Sequence, residues 1–104
     1  MSITVSEFIK FCNNKLPHVP YVENLVSFMS SDTIIVNTTS PRYGILDVPN
    51  KNYRLIIIDT YIIMQHSDIS ECKYYNRKEL VLIGKKFNDT IATKLFNELI
   101  DKGY

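Results

Sequence analysis

Apolar and polar positions change period along this chain, and the changes mark its elements. Val5, Phe8, Ile9, Cys12 and Leu16 recur at helical spacing, which places them on one face of an amphipathic helix. Thr4 and Glu7 stand where a capping box needs them, each side chain serving a backbone N–H that the first helical turn leaves unpaired. Ile3 and Phe8 flank the box at the spacing of a hydrophobic staple. Pro17 ends the segment, because the residue before a proline disfavours helical geometry. Val22, Leu25, Val26 and Met29 then repeat at i, i+3, i+4, i+7 behind Pro20, a residue suited to the first helical position. The spacing predicts a second helix from Pro20 to Met29, folded back on the first as a tight corner.

From Thr33 the pattern becomes that of strands. Thr33–Asn37 is β-branched. Thr38–Pro41 is turn chemistry, and Arg42–Val48 predicts a second strand. Pro49–Asn52 makes a further turn. Tyr53–Met64 predicts one long strand, or two strands bent near Asp59. Leu55–Ile58 shows no alternation, as expected of a central strand covered on both faces. Gln65–Cys72 is polar and irregular, Lys73–Tyr75 can pair with the sheet, and Glu79–Ile83 predicts another strand with Gly84 just past it.

Asn88 or Asp89 can cap a last helix. Ile91, Leu95, Phe96, Leu99 and Ile100 supply its buried stripe, Lys102 complements its negative end, and Gly103 stands as a C′ residue. Strands grouped between helices predict an α+β fold. It has two N-terminal helices, an antiparallel sheet of about four or five strands and one C-terminal helix packed on the sheet, in a single domain over residues 1–104.

Composition narrows the function classes. With 45% apolar and 22% charged residues the chain can build a packed core. Its net charge of +1 gives no single-sign field for a nucleic acid or an anionic membrane. Lys73, Arg77, Lys78, Lys85 and Lys86 form the densest basic group, with Glu71 and Glu79 among them. A lysine-protected strand edge is the plainer reading, and a nucleic-acid-binding face the lesser one. Met1–Glu7 carries neither the basic nor the apolar region of a signal peptide, and no apolar run approaches the about 20 residues of a membrane span. A cytoplasmic protein is therefore expected. Abundant Ile, Asn, Lys and Tyr, with one Ala and no Trp, have the AT-rich codon bias of a phage, a virus or a low-GC bacterium.

Candidate chemistry is sparse. Cys12 and Cys72 fit no metal spacing and no redox motif; Cys12 belongs on a buried helical stripe and Cys72 is expected half-exposed. His18 and His66 are expected on exposed loops. Three isolated glycines build neither a P-loop nor a dinucleotide fingerprint. No cofactor or metal is expected. Asp59, followed by Glu71 and Lys73 as Glu-x-Lys, resembles the D…(D/E)-x-K pattern of restriction-endonuclease-like nucleases. That resemblance implies two carboxylates on Mg²⁺ and a lysine that activates water. Arg77–Gly84 with the helix after Asn88 looks like the closing strand and helix of the CobW-type GTPase C-terminal domain, which implies an accessory role and no catalytic residue.

Seven tyrosines remain. Tyrosine gives a large, rigid contact area at low entropic cost and is enriched at interfaces. The expected function is a non-enzymatic protein-binding module of the inhibitor or immunity type, occluding a partner protein through Tyr53, Tyr61, Tyr74, Tyr75 and Arg77. A homodimer through a sheet edge is a further expectation, and a small nuclease using Asp59, Glu71 and Lys73 the alternative.

Overall fold

The computed structural model describes residues 1–20, 26–28, 33–36, 42–48, 53–66, 72–78 and 82–104. Helix α1 (Val5–Lys15) opens with the complete capping box. Thr4 Oγ1 accepts from the Glu7 N–H, and Glu7 Oε1 accepts from the Thr4 N–H at 3.1 Å. That second bond holds the Glu7 carboxyl below its ordinary range. A depressed carboxyl contributes stability above its unfolded value, and this contribution fades as pH falls through the folded one.

The predicted second helix is not formed. Val26–Phe28 is instead a strand, β1, paired antiparallel with β2 (Thr33–Val36) in the register Val26↔Val36 to Phe28↔Ile34. A short apolar run satisfies helical and strand spacing alike. Here pairing with the adjacent strand decides. The rest of that helix prediction, and the turns at 38–41 and 49–52, lie outside the described residues.

Five strands form the main sheet: β3 (Tyr43–Asp47), β4 (Tyr53–Ile58), β5 (Tyr61–His66), β6 (Cys72–Asn76) and the two-residue β8 (Lys85–Lys86), antiparallel in that order. β7 (Leu82–Ile83) joins β2 in a small sheet ordered β1-β2-β7. The chain therefore changes sheets at Gly84, where a Cβ would sit 3.1 Å from the Tyr75 hydroxyl oxygen. Helix α2 (Asp89–Asp101) starts on Asn88, whose Oδ1 accepts from the Ile91 N–H. It ends in a Schellman motif: Gly103 takes φ +93°, Gly103 N–H donates to the Ile100 carbonyl and Tyr104 N–H to that of Leu99.

The strands explain the layering. Leu55, Ile56, Ile57 and Ile58 are all buried, and a strand shows its side chains to both faces. Ile56 and Ile58 join Phe8, Cys12, Leu95 and Leu99 under the two helices. Leu55 and Ile57 join Leu46, Ile62, Tyr75, Ile34 and Leu82 under the small sheet. The molecule is three layers, helices on sheet on sheet. No helix among the described residues is long and apolar enough to cross a membrane.

The outer edge of β3 is closed by residues 17–19. Ile45 N–H donates to the Pro17 carbonyl and Val19 N–H to that of Ile45, both at 2.8 Å. This strap comes close because Gly44 has no side chain: a Cβ there would meet Val19 Cγ2 at 2.7 Å. Gly44→Ala should cost about 1–3 kcal/mol by overpacking, measured by denaturant unfolding. Most of that loss should return in a Val19→Ala background. An unchanged midpoint would remove the strap from the account of stability.

Candidate functional site

The β4–β5 hairpin sets the geometry of one end of the main sheet. Its two-residue loop is Asp59–Thr60, with Asp59 at φ +51°, a left-handed conformation that aspartate tolerates better than most residues. Pairing continues across the loop: Asp59 N–H donates to the Arg42 carbonyl at 2.6 Å and Arg77 N–H to the Thr60 carbonyl at 2.7 Å. Arg42, Asp59, Thr60 and Arg77 thus form a row along the rim. One residue inward, Tyr43 faces Ile58 and Tyr61 faces Asn76.

Tyrosines and cations are interleaved on this rim. Arg42 Nη2 lies 3.0 Å from Asp59 Oδ1. Lys94 of α2 donates from Nζ to the Tyr61 hydroxyl at 3.1 Å, which raises the Lys94 pKa. Lys102 sits over the Tyr43 ring, 5.7 Å from its centroid, and Tyr104 packs on the same ring at 5.9 Å. Tyr61, Tyr74, Phe87 and Phe8 form a chain of rings with successive centroids 6.3, 6.2 and 5.7 Å apart. The chain runs from the rim into the helix-covered core, so the rim tyrosines are held by packing.

Of the five residues singled out in the sequence, Tyr61 and Arg77 lie at this end, Arg77 through its N–H to the Thr60 carbonyl, and Tyr74 stacks on Tyr61 from further along β6. Tyr61 and Tyr74 are half-buried against the helix-side core. Arg77 is half-buried; burial lowers its pKa, repulsion from Arg42 adds to this, and Asp59 opposes it. Tyr75 is 1% exposed and belongs to the core under the small sheet, so Tyr74 and Tyr75 do not form one surface patch. Adjacent strand residues point to opposite faces. Tyr53 lies at the far end of β4, opposite His66, half-buried against the small-sheet core. Arg42, Tyr43, Lys94, Lys102 and Tyr104 were not singled out in the sequence. Only the register Tyr43↔Ile58 and Tyr61↔Asn76, with α2 laid beside it, brings them in.

Of the nuclease-like pattern, only Asp59 and Lys73 lie among the described residues, and they stand apart. Asp59 occupies the rim in its ion pair with Arg42. Lys73 stands four residues along β6 from Arg77, about 13 Å at strand rise. Glu71 lies outside the described residues. The same separation divides the basic group: Arg77 and Lys78 hold one end of β6, while Lys73 faces Lys86 and Tyr74 faces Lys85 at the other. Lys85 and Lys86 are the exposed outer edge strand of the sheet.

Three other features complete the inventory. A shallow cavity of about 420 Å³ lies between the N-terminal ends of the helices, but its polar groups serve as caps. Asp89 Oδ1 accepts the Val5 N–H at 2.8 Å, and Thr93 bridges both backbone groups of Ile3. Ile35 and Ile83, 51% and 53% exposed, share the outer face of the small sheet, since their neighbours Ile34 and Leu82 point inward. Cys72, expected half-exposed, is buried with Cys12 in the helix-side core. Alternation puts Cys72 on the face that α1 and α2 cover. Burial pushes the Cys12 pKa up to about 12 and raises that of Cys72. His18 is exposed, with Nε2 3.2 Å from the Asn13 carbonyl. Among the described residues no group of three metal-ligating side chains converges.

No family model, curated protein or solved structure matches this chain.

Two measurements check these placements. Tyr75→Ala should cost about 3–5 kcal/mol, as for other large buried aromatics, whereas Tyr61→Ala should cost about 1 kcal/mol. Equal losses in thermal unfolding would contradict the assignment of Tyr75 to the core. Both thiols should resist a disulfide reagent at pH 8 in the native protein and react promptly once it is denatured, because the thiolate is the attacking species.

Proposed function

We propose that this chain is a non-enzymatic protein-binding module that docks through the tyrosine- and arginine-bearing rim of its main sheet. The observation that carries this reading is the gathering of Tyr43, Tyr61, Arg42 and Arg77 at one sheet end by the strand register. Tyrosine and arginine dominate the binding energy of protein interfaces. Side chains already held by neighbours lose less freedom on association, and the ring chain from Tyr61 to Phe8 supplies such support. The mechanism is steric: a partner seated on the rim has its own surface covered, as an inhibitor or immunity protein requires. An origin in a phage, a virus or a low-GC bacterium fits the abundance of Ile, Asn, Lys and Tyr.

The test is capture of a partner from extracts of the cells that carry this gene, quantified by mass spectrometry. Tyr61→Ala should reduce recovery of the specific partner at least about tenfold, a loss typical of an interface anchor, while shifting the unfolding midpoint by only a few degrees. Lys86→Ser, on the outer edge strand β8 away from the rim, should leave recovery unchanged. Equal recovery by wild type and Tyr61→Ala, with loss in Ile35→Ser instead, would move the docking surface to the small sheet.

A further inference from the structure

The strap at residues 17–19 closes the outer edge of β3 only in part. Val48 N–H donates to the Tyr53 carbonyl and Asp59 N–H to that of Arg42, so the even positions along β3 bond toward β4. Alternation sends the N–H and C=O of Tyr43, Ile45 and Asp47 to the outer edge. Two groups on each of three residues make six, and the strap meets the two of Ile45. Among the described residues no hydrogen bond reaches the outward groups of Tyr43 or Asp47. Pro17 supplies one reason: a parallel ladder continued toward Tyr43 would need residue 17 to donate to its carbonyl, and proline has no N–H. The strap is also lightly held. Pro17 and His18 are exposed, and Val19 is its one half-buried side chain, lodged over Gly44 against the small-sheet core. The His18 ring reaches the Asn13 carbonyl of α1 rather than β3. Helix α1 is anchored without the strap, through buried Phe8, Ile9, Cys12 and Leu16.

We propose that β3 is a strand-addition site guarded by this strap. An extended segment of a partner protein lifts residues 17–19 and pairs along Tyr43, Ile45 and Asp47, meeting all six outward groups where the strap meets two. The inference rests on the docking reading above and supplies its binding mode, since Tyr43 stands on the rim and the added strand runs up to it. Strand addition draws affinity from main-chain hydrogen bonds and specificity from side chains that alternate between faces. Here the specificity is set at Gly44. The place a Cβ would take there lies 2.7 Å from Val19 Cγ2, so the incoming segment needs one branched apolar side chain to replace Val19 over Gly44. The other edge of the main sheet offers no such site, because β8 is two exposed lysines long and lysines protect an edge.

The test is a disulfide staple across the strap. A Cβ at position 44 would lie 3.8 Å from Val19 Cβ, the usual Cβ separation in a disulfide. Val19→Cys with Gly44→Cys therefore locks the strap when oxidised and frees it when reduced. The probe is a blocked heptapeptide of alternating threonine and valine, added to the isotope-labelled full chain and followed by amide chemical shifts. In the wild type and the reduced staple, shifts should centre on Tyr43–Asp47 and Val19, and in the oxidised staple they should vanish. Val19→Ser, which loosens the strap, should strengthen peptide binding several-fold, the opposite of what general damage would do. Native hydrogen exchange gives a second readout. The Ile45 amide should exchange at least about tenfold faster than the Leu46 amide, which faces β4, and the oxidised staple should remove the difference. Shifts unaltered by the staple, shifts centred elsewhere, no shifts at all, or Ile45 exchange as slow as that of Leu46 would overturn the proposal. So would a dimer joined through β3 without peptide, which would assign the edge to a second copy. Partner capture lost in Tyr61→Ala but equal in the oxidised and reduced staples would reject strand addition and leave the docking reading standing. Capture lost only in the oxidised staple would reject the rim and keep the strand site.

Discussion

Everything in this fold follows from the burial of β4 on both faces. Four consecutive apolar residues, Leu55 to Ile58, are 0–1% exposed. A strand turns successive side chains to opposite sides, so neither a lone sheet nor a sheet with one covering layer could bury all four. Two helices cover Ile56 and Ile58, and the small sheet covers Leu55 and Ile57. The demand for a second cover explains why the chain leaves the main sheet for β7 and returns for β8. It also explains why the crossing residue is Gly84, where the Tyr75 ring leaves room for no side chain without adjustment.

The same constraint places the chemistry. A sheet covered on both faces has few surfaces left: its two outer edges and the two ends of its strands. One edge is closed by the strap at residues 17–19 and the other is a two-residue strand of lysines, both of which discourage edge-to-edge pairing. The strand ends are thereby where the main sheet leaves side chains open to a partner. At the Asp59 end, aromatic rings anchored in the core lie beside guanidinium groups. Polar residues elsewhere have local duties. Glu7 and Asp89 cap backbone N–H groups of α1. Arg54 reaches Asp47 on the neighbouring strand at 2.6 Å and Asn13 of α1 at 3.0 Å, tying that helix to the sheet.

Legibility varied with the range of the interaction responsible. The capping box at Thr4 and Glu7 and the C-terminal glycine at Gly103 are settled within four residues of chain and could be read directly; the cap of α2 was narrowed to Asn88 or Asp89, and the structure uses Asn88. The doubly buried strand at Leu55–Ile58 was legible from its unbroken apolar run. Val26–Phe28 was misread because the helical spacing of Val22, Leu25, Val26 and Met29 masked the strand-like alternation of Val26-Ser27-Phe28, and its partner β2 is the element that decides. Tyr74 and Tyr75 looked like one patch because sequence adjacency hides the alternation of a strand.

The sequence by itself determined where α1 and α2 begin, how they stop, and that a central strand must lie between two layers, since those outcomes depend on short-range hydrogen bonding and on the cost of exposing apolar side chains. Only the tertiary structure decided which face each strand residue takes, that Tyr75 and Cys72 go inward, and that Arg42, Tyr61, Arg77 and Lys94 meet at one rim. The physical reason is that register joins residues tens of positions apart: a shift of one residue reverses every side chain, and no local pattern records that choice.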